Sequence, residues 1–281
     1  MPGEIDALTS ATLKHVRGGW WGPEFDEFLA ETLRPRAGNW ILDVGCGAGT
    51  AEVSLGQIGL SQVRLFAVDV ALDKPRQGVS AVAAHNVQVA FVNADACRLP
   101  FKDAAFDLTF SIAVLQHLRD ISCVVEEFAR LTKSGGRILV IEPDNSARYW
   151  YSSPETGSKV FELGARFFAA LAQSTGDVTD PAVGPKLSSL FARHGIEPLL
   201  VRLFPVSLTR LGAPPASVWE ARRTAVRAAV EKAPDEALKR LGADYLKLLD
   251  RYAEEATAAG PTFVEIQNTM LFATVGQRPD A

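Results

Sequence analysis

The 281-residue sequence predicts an α/β fold: a doubly wound sheet of seven strands with helices on both faces. Between residues 40 and 142, short apolar runs rich in β-branched residues alternate with longer amphipathic segments, a pattern typical of buried parallel strands joined by helices. Two further apolar runs near the carboxyl terminus complete the sheet. A long segment of helical pattern separates these two runs, which predicts a helical insertion between the last two strands.

The strand candidates are WILDVG, VRLFAVD, VQVAFVNA, FDLTFSIAV, GRILVIEP, LLVRLFPVSL and TFVEIQNTMLFATVG, in chain order. Helices are predicted over residues 51–59, 74–85, 122–133 and 158–172, and Ser134-Gly135-Gly136 is expected to end the third of them. The Ser, Pro and Gly content of NSARYWYSSPETG predicts a loop that carries an aromatic cluster.

The predicted insertion covers residues 213–260 and exceeds the usual length of a connection. Its two helices, over residues 217–231 and 235–258, are rich in alanine and charged residues. We predict that it roofs a substrate pocket, and an added stabilising or dimerising bundle is the alternative. The apolar face is expected to carry Trp219, and the cationic side chains expected in solvent are those of Arg222, Arg223, Lys239 and Arg240.

Composition excludes several classes of protein. The net charge is −4 and no basic stripe is visible, so a nucleic-acid partner is not expected. The three cysteines, Cys46, Cys97 and Cys123, are too few and too irregularly spaced for a disulfide framework and offer no C-x-x-C pair for zinc. Neither a secretory signal nor an apolar run of membrane-spanning length is present. A soluble protein of the reducing cytoplasm, with no membrane partner, is expected.

A glycine-rich turn follows the first strand, where residues 43–50 read Asp-Val-Gly-Cys-Gly-Ala-Gly-Thr. Glycines at alternate positions allow the backbone to turn tightly and to approach a ligand closely. The second strand ends at Asp69, where a carboxylate can accept both hydroxyls of a ribose. The third ends in Asn93-Ala94-Asp95-Ala96, which adds an acceptor and a backbone donor beside apolar residues, the combination that adenine needs.

The segments ILDVGCGAGT, AVDV, NADACRLPF, FDLTFSIAVLQHL and SGGRILVIEP together resemble class I S-adenosylmethionine-dependent methyltransferases of the small-molecule, methyltransferase type 11 group. The resemblance covers about residues 38–145, within a domain predicted over residues 38–281. It implies a Rossmann-like sheet that is parallel except for an antiparallel last strand. It also implies S-adenosylmethionine as cofactor, S-adenosylhomocysteine as product and a small-molecule acceptor. An in-line displacement of this kind requires no metal, and no metal site is predicted.

The resemblance implies that the glycine turn holds the methionine part of the cofactor. Asp69 would hold the ribose, Asp95 and the Ala96 amide the adenine, and the backbone of the fourth strand's end would lie along the cofactor. An N-terminal helical segment, residues 1–37, is expected to fold over the cofactor as a lid and to pair Arg17 with the methionine carboxylate. The cofactor-binding residues so predicted are Arg17, Asp43, Gly45, Cys46, Gly47, Gly49, Asp69, Asp95, Ala96, Ser111 and Ile112.

Two side chains are candidates for catalysis. His117 follows the fourth strand and is either a general base for the acceptor or a hydrogen-bonding anchor for its loop. Glu142 ends the fifth strand and either orients the acceptor or caps a helix or forms a surface salt bridge. The aromatic residues predicted to line the substrate pocket, with core packing as the alternative, are Trp20, Trp21, Tyr149, Trp150 and Trp219.

Other functions compete with this interpretation. A methyltransferase acting on a protein or RNA and a non-catalytic module that only binds the cofactor stay open. The dinucleotide-binding motif of a nucleotide-dependent oxidoreductase has a third glycine at the position where this chain has Thr50, which disfavours that alternative. Enzymes that methylate base amines carry Asn or Asp followed by Pro-Pro and an aromatic residue, whereas residues 111–114 read Ser-Ile-Ala-Val, which disfavours a flipped-base substrate.

Overall fold

The computed structural model of the protein describes residues 22–47, 49, 51–52, 55, 63–71, 88–175 and 179–280. The strands are β1 (Trp40–Val44), β2 (Arg64–Asp69), β3 (Gln88–Asn93), β4 (Phe106–Ile112), β5 (Thr132–Ser152), β6 (Glu197–Leu211) and β7 (Val264–Gln277). The helices with printed bounds are α1 (Pro23–Leu33), α2 (Ser122–Leu131), α3 (Thr156–Thr175), α4 (Val183–Arg193), α5 (Ala216–Glu231) and α6 (Glu236–Ala259), with 3₁₀ turns at Leu115–His117 and Gly260–Thr262.

The seven strands form one sheet in the order β3-β2-β1-β4-β5-β7-β6. Strands β1 to β5 pair in parallel, so their carboxyl ends meet at one edge of the sheet. Strand β7 runs antiparallel to β5. The chain after β7 exchanges two hydrogen bonds with β5: the Gly135 N–H donates to the Arg278 carbonyl, and the Arg278 N–H donates to the Gly136 carbonyl. The predicted Rossmann-like fold, with its antiparallel last strand, is confirmed.

Strand β5 differs from its prediction at both ends. Helix α2 ends at Leu131, and the glycines expected to stop it lie inside β5, where the pairing with β4 shifts register between Phe106 and Leu108. Gly135 takes a φ of +70° at this irregularity, a conformation that favours glycine. At the other end β5 continues to Ser152, so the predicted loop NSARYWYSSPETG is largely strand. The second half of β5 has a polar composition, which predicted a loop, but its residues alternate between exposed and half-buried as in a strand.

Helix α4 was not predicted, although its sequence carries a helical pattern. The buried residues Val183, Leu187, Leu190 and Phe191 recur at the spacing of one helix face. Gly184 and Pro185 at the start of the segment gave it the composition of a loop, but both lie in the first turn, where proline is tolerated. The predicted helix over residues 74–85 lies outside the described residues, as does most of the one over residues 51–59.

The described residues divide into two compact units. The sheet unit consists of residues 22–143, Ala182–Phe204 and 271–280, and its core joins the apolar residues of β1, β2, β4 and β5 to the buried faces of α2 and α4. The helical unit consists of Asp144–Pro181 and Pro205–Met270. Its core joins α3 to the two insertion helices α5 and α6, and its largest side chains are Phe167, Phe168, Trp219, Tyr245, Tyr252 and Phe263. Residues 213–260 are therefore not a separate layer, because they share a core with α3.

A buried carboxylate lies at the centre of the helical unit. Glu265 on β7 is 0% exposed and accepts hydrogen bonds from Arg210, Arg222, Tyr252 and Gln267. Burial raises the pKa of Glu265, but the charges of Arg222 and Arg210 outweigh it and hold that pKa below the ordinary carboxyl value. The prediction that Arg222 stays in solvent is wrong, because its guanidinium binds both oxygens of this carboxylate.

No helix within the described ranges is both long and apolar enough to cross a membrane. In the same part of the chain, no group of three or more His, Cys, Asp or Glu side chains is arranged to hold a metal ion.

Candidate cofactor site

The glycine turn after β1 packs against two neighbouring segments of the sheet unit. The N–H groups of Gly45 and Cys46 both donate to the Val68 carbonyl near the end of β2, at 2.7 and 3.0 Å. Gly45 has a φ of +84°, and a Cβ atom there would lie 2.2 Å from Cγ2 of Val114, in the loop after β4. Gly47, with a φ of +54°, has no atom within 4 Å of the corresponding position, so the turn presents open backbone there.

Replacement of Gly45 by alanine is expected to destabilise the protein by about 2 kcal/mol, because the added methyl group overlaps Val114 and the φ is unfavourable. Gly38 is a matched control, since its φ is also +84° and no atom lies within 4 Å of its Cβ position. Urea unfolding of Gly45→Ala and Gly38→Ala separates the overlap from the φ effect. Equal losses of stability in the two variants would show that the contact with Val114 is not limiting.

Asp69, at the end of β2, is held by the backbone on both sides of its carboxylate. The Gly47 N–H donates to Oδ2 and the Ala71 N–H donates to Oδ1, each at 2.9 Å. The side-chain amide of Asn93 donates to the Asp69 and Val70 carbonyls, which fixes the ends of β2 and β3 beside each other. A carboxylate oxygen has about two lone-pair sites, so each oxygen can still accept a hydroxyl. The binding of a ribose by this carboxylate stays a prediction.

A pair of buried carboxyl groups lies under the same turn. Asp43 on β1 is 2% exposed, and Glu52, in a helical segment after the turn, is 0% exposed. Burial raises the pKa of Asp43 well above its usual range, and the charges of Glu52 and Asp69 raise it further. Burial likewise raises the pKa of Glu52 and of the Cys46 thiol. Glu52 was missed from the sequence, where an acidic residue two positions after Thr50 looked like an ordinary helix residue.

The turn after β3 carries the candidate adenine residues Asp95 and Ala96. Oδ1 of Asp95 accepts the Cys97 N–H at 2.9 Å, and the Arg98 N–H donates to the Asp95 carbonyl, so the carboxylate shapes its own turn. Cys97 is bonded to Cys123 in a disulfide that links this turn to the start of α2.

The end of β4 is tied to β1 and β5. The Ser111 hydroxyl is buried and donates to the Val44 carbonyl at 2.8 Å. The predicted contact of Ser111 with the cofactor is one of its backbone atoms, not of this hydroxyl. Ile112, the last residue of β4, is half-buried. Ala113 has a φ of +58°, uncommon for a residue with a side chain, and its N–H donates to the Ile141 carbonyl.

Glu142 caps the turn that carries His117. Its carboxylate, 0% exposed, accepts the N–H groups of Val114 and Leu115 at 2.7 Å and that of Gln116 at 3.3 Å. These bonds are those of a cap, one of the alternatives predicted for this residue, and we treat Glu142 as a positioning residue rather than a group that reacts. His117 is exposed at the end of this 3₁₀ turn, and its action as a base stays a prediction.

The aromatic candidates differ in their surroundings. Tyr149 is 58% exposed on β5, whereas Trp150 stacks on Phe161 with ring centroids 5.0 Å apart. Trp219 is 3% exposed and packs against Tyr252 within the core of the helical unit, as in the core-packing alternative. Their contacts with a substrate stay predictions. Three further candidates lie outside the described residues, namely Arg17, Trp20 and Trp21.

The described residues fit S-adenosylmethionine. Gly47 offers open backbone for the methionine part, Asp69 offers acceptors for the ribose, and Asp95 lies exposed at the end of the neighbouring strand for the adenine. The buried carboxyl groups of Asp43 and Glu52 are the complement of a positively charged amino group. Gly49, with a φ of +79°, continues the turn and donates its N–H to the Cys46 carbonyl.

Comparison with known proteins finds similarity to methyltransferases. Residues 42–140 match the family described as a methyltransferase domain. The O-methyltransferase resE of Aspergillus sclerotiorum is 28% identical over 147 residues, which cover 48% of this chain and 56% of that protein. The 27-O-demethylrifamycin SV methyltransferase of Amycolatopsis mediterranei is 29% identical over 148 residues, with 48% and 53% covered. The chain thus spans about half the length of the curated relatives it matches.

Solved structures share the fold. The YcgJ protein from Bacillus subtilis superposes with a TM-score of 0.55 at 16% identity, covering 91% of this chain and 98% of that one. The [4+2]-cyclase SpnF superposes with a TM-score of 0.54 at 16% identity, covering 99% and 96%. The family match covers the strands that carry the glycine turn, Asp69 and Asp95. Over residues 42–140 the chain is therefore similar to methyltransferases.

Proposed function

We propose that this protein transfers a methyl group from S-adenosylmethionine to a small-molecule acceptor in the cytoplasm. The observation that carries the proposal is the convergence, at the carboxyl edge of the sheet, of the glycine turn with the Asp69 carboxylate, whose Oδ2 accepts the Gly47 N–H. Oxygen is the favoured acceptor atom, because two of the relatives, resE and cnsE, are named as O-methyltransferases. When bound, the cofactor supplies a methyl group on a sulfonium sulfur, which a nucleophile displaces in line.

The residues of the site act by binding and orientation. Asp69 fixes the ribose end, and the backbone of the glycine turn fixes the methionine end. The loop after β4, which Glu142 holds by three N–H groups, presents His117 at the same edge of the sheet. If His117 is the base, its imidazole takes the proton of the acceptor hydroxyl as the oxygen attacks the methyl carbon. Such an enzyme can gain most of its rate enhancement by holding the nucleophile, the methyl carbon and the sulfur in line.

Acceptor recognition is proposed for three parts of the chain: the N-terminal lid over residues 1–37, the insertion over residues 213–260, and Tyr149 with Trp150. Sequence supports this part of the proposal, since the insertion exceeds an ordinary connection and β5 ends in aromatic residues. Small molecules are favoured over protein or RNA because the net charge is −4 and relatives such as the rifamycin enzyme and the ajmaline N-methyltransferase of Rauvolfia serpentina are named for small compounds.

The experiment is calorimetric binding followed by an acceptor screen. The purified protein is expected to bind S-adenosylmethionine and S-adenosylhomocysteine but not a nicotinamide dinucleotide. Incubation with methyl-labelled cofactor and a panel of phenols, alcohols, carboxylic acids and amines should then give a labelled product, read by mass spectrometry. Heat from the dinucleotide without heat from either sulfur cofactor would overturn the proposal. Binding without any labelled product, from the panel or from protein and RNA fractions, would favour the non-catalytic module.

A further inference from the structure

The carboxyl groups of Asp43 and Glu52 contact each other in a place that water does not reach. Asp43 is 2% exposed and Glu52 is 0% exposed, on opposite sides of the glycine turn. Apart from Asp43, no side chain among the described residues forms a hydrogen bond with either oxygen of Glu52. A hydrogen bond between two carboxyl groups requires that one of them carry the proton, since two carboxylates have only acceptors.

Two ionised carboxylates in contact and out of water are strongly unfavourable, so such a pair holds either one proton or a cation. The other titratable groups that act on the pair are the Asp69 carboxylate and the Cys46 thiol. Both are acidic, and no cationic side chain among the described residues is recorded acting on Asp43 or Glu52. Among the described groups, a proton is the species that compensates the pair in the free protein.

We propose that Glu52 is a positioning residue for the cofactor, and that the Asp43–Glu52 pair exchanges its shared proton for the α-ammonium group of the methionine part. The inference rests on the proposed function only in that this site takes the cofactor. On binding, the pair goes from one negative charge to two, the ammonium brings one positive charge, and the proton leaves to the buffer. Cofactor binding is then coupled to the release of about one proton.

This coupling has a direction that can be measured. Because a proton must leave, affinity for the cofactor rises with pH while the pair of the free protein stays protonated, by up to about tenfold per pH unit. A ligand that has the adenosine and the thioether but lacks the amino acid part leaves the shared proton in place. Its affinity is therefore independent of pH over the same range.

The experiment is titration calorimetry with S-adenosylhomocysteine at one pH in two buffers of different ionisation enthalpy. The difference in observed heat gives the number of protons released, about one for the natural protein. Titration with 5′-methylthioadenosine, which has no amino acid part, should give none. Glu52→Gln should also release none and should bind S-adenosylhomocysteine more weakly by at least tenfold, while the exposed Glu126→Gln on α2 should behave as the natural protein.

Several outcomes overturn the inference. The same proton number for both ligands would show that the proton comes from elsewhere, and no release with either would show that the pair is not protonated. Unchanged release in a folded Glu52→Gln variant would exclude Glu52. If that variant fails to unfold cooperatively, two other measurements test the inference: proton release in Asp43→Asn, and the comparison of proton release between the two ligands in the natural protein. Absence of any S-adenosylhomocysteine binding would instead contradict the proposed function.

Discussion

Replacement of Asp69 by alanine is expected to weaken S-adenosylhomocysteine binding about a hundredfold, or about 2.7 kcal/mol at about 1.4 kcal/mol per decade. The carboxylate is proposed to accept two ribose hydroxyls in charge-assisted hydrogen bonds, each of which contributes more than a bond between neutral groups. It also accepts the N–H groups of Gly47 and Ala71, so alanine removes a support of the glycine turn as well as the ribose acceptors.

Two further variants separate these effects. Asp69→Asn keeps one oxygen but places an amide NH₂ opposite a backbone N–H, and it should lose somewhat less affinity than alanine. Asp103→Asn removes an exposed carboxylate that binds Arg130 and should leave affinity unchanged. Calorimetry measures all three. Unaltered affinity in a folded Asp69→Ala protein would remove this residue from the site.

Replacement of Glu265 by alanine is expected to destabilise the helical unit by about 3–5 kcal/mol, because it leaves two guanidinium groups facing each other without their shared counter-charge. In the natural protein the pKa of Arg210 is already lowered, mainly by burial and next by the positive charge of Arg222. Urea unfolding followed by tryptophan fluorescence measures the loss, since Trp219 lies against this cluster.

The pH dependence of this contribution has a definite sign. The pKa of Glu265 lies below its ordinary value of 4.5 in the folded protein, so its stabilisation is fully present above that value and is lost as the pH falls through the folded pKa. Glu265→Gln should therefore flatten the acid limb of the stability profile. The matched control is Glu220→Gln, which removes an exposed carboxylate paired with Arg227 on α5 and should cost less than about 1 kcal/mol. Equal losses at positions 220 and 265 would contradict the assignment.

The same cluster changes the design of any experiment on the insertion. Excision of residues 213–260 would remove Arg222 and Tyr252 from Glu265 and would expose Phe167 on α3. Such a protein is expected to fail in folding whatever the insertion does for the acceptor. Substitutions at exposed positions such as Tyr149 test acceptor recognition without that loss.

Much of the sheet unit could be predicted from sequence because its strands are short, apolar and bounded by residues that favour turns. The glycine turn and Asp69 were predicted to lie together, and the Gly47 N–H bond to Asp69 joins them. Parallel pairing explains this success, since the ends of neighbouring parallel strands share one edge whatever lies between them.

What sequence did not predict depends on contacts between distant segments. Glu52 becomes notable only because folding buries it against Asp43, and nothing in its local sequence indicates burial. Arg222 was expected in solvent because lysine and arginine usually are, but Glu265, 43 residues away in the chain, binds it. Polar residues in the second half of β5 predicted a loop, because composition alone does not reveal a strand with one exposed face.

The cap formed by Glu142 has a consequence for how this protein family can diversify. The carboxylate binds the backbone N–H groups of residues 114–116 and makes no use of their side chains in those bonds. These three bonds therefore form whichever side chains the loop carries, so long as none of its residues is proline, which has no N–H to donate. A glutamate at this position can therefore hold the loop's backbone at the edge of the sheet while the exposed side chain of His117 is exchanged for another.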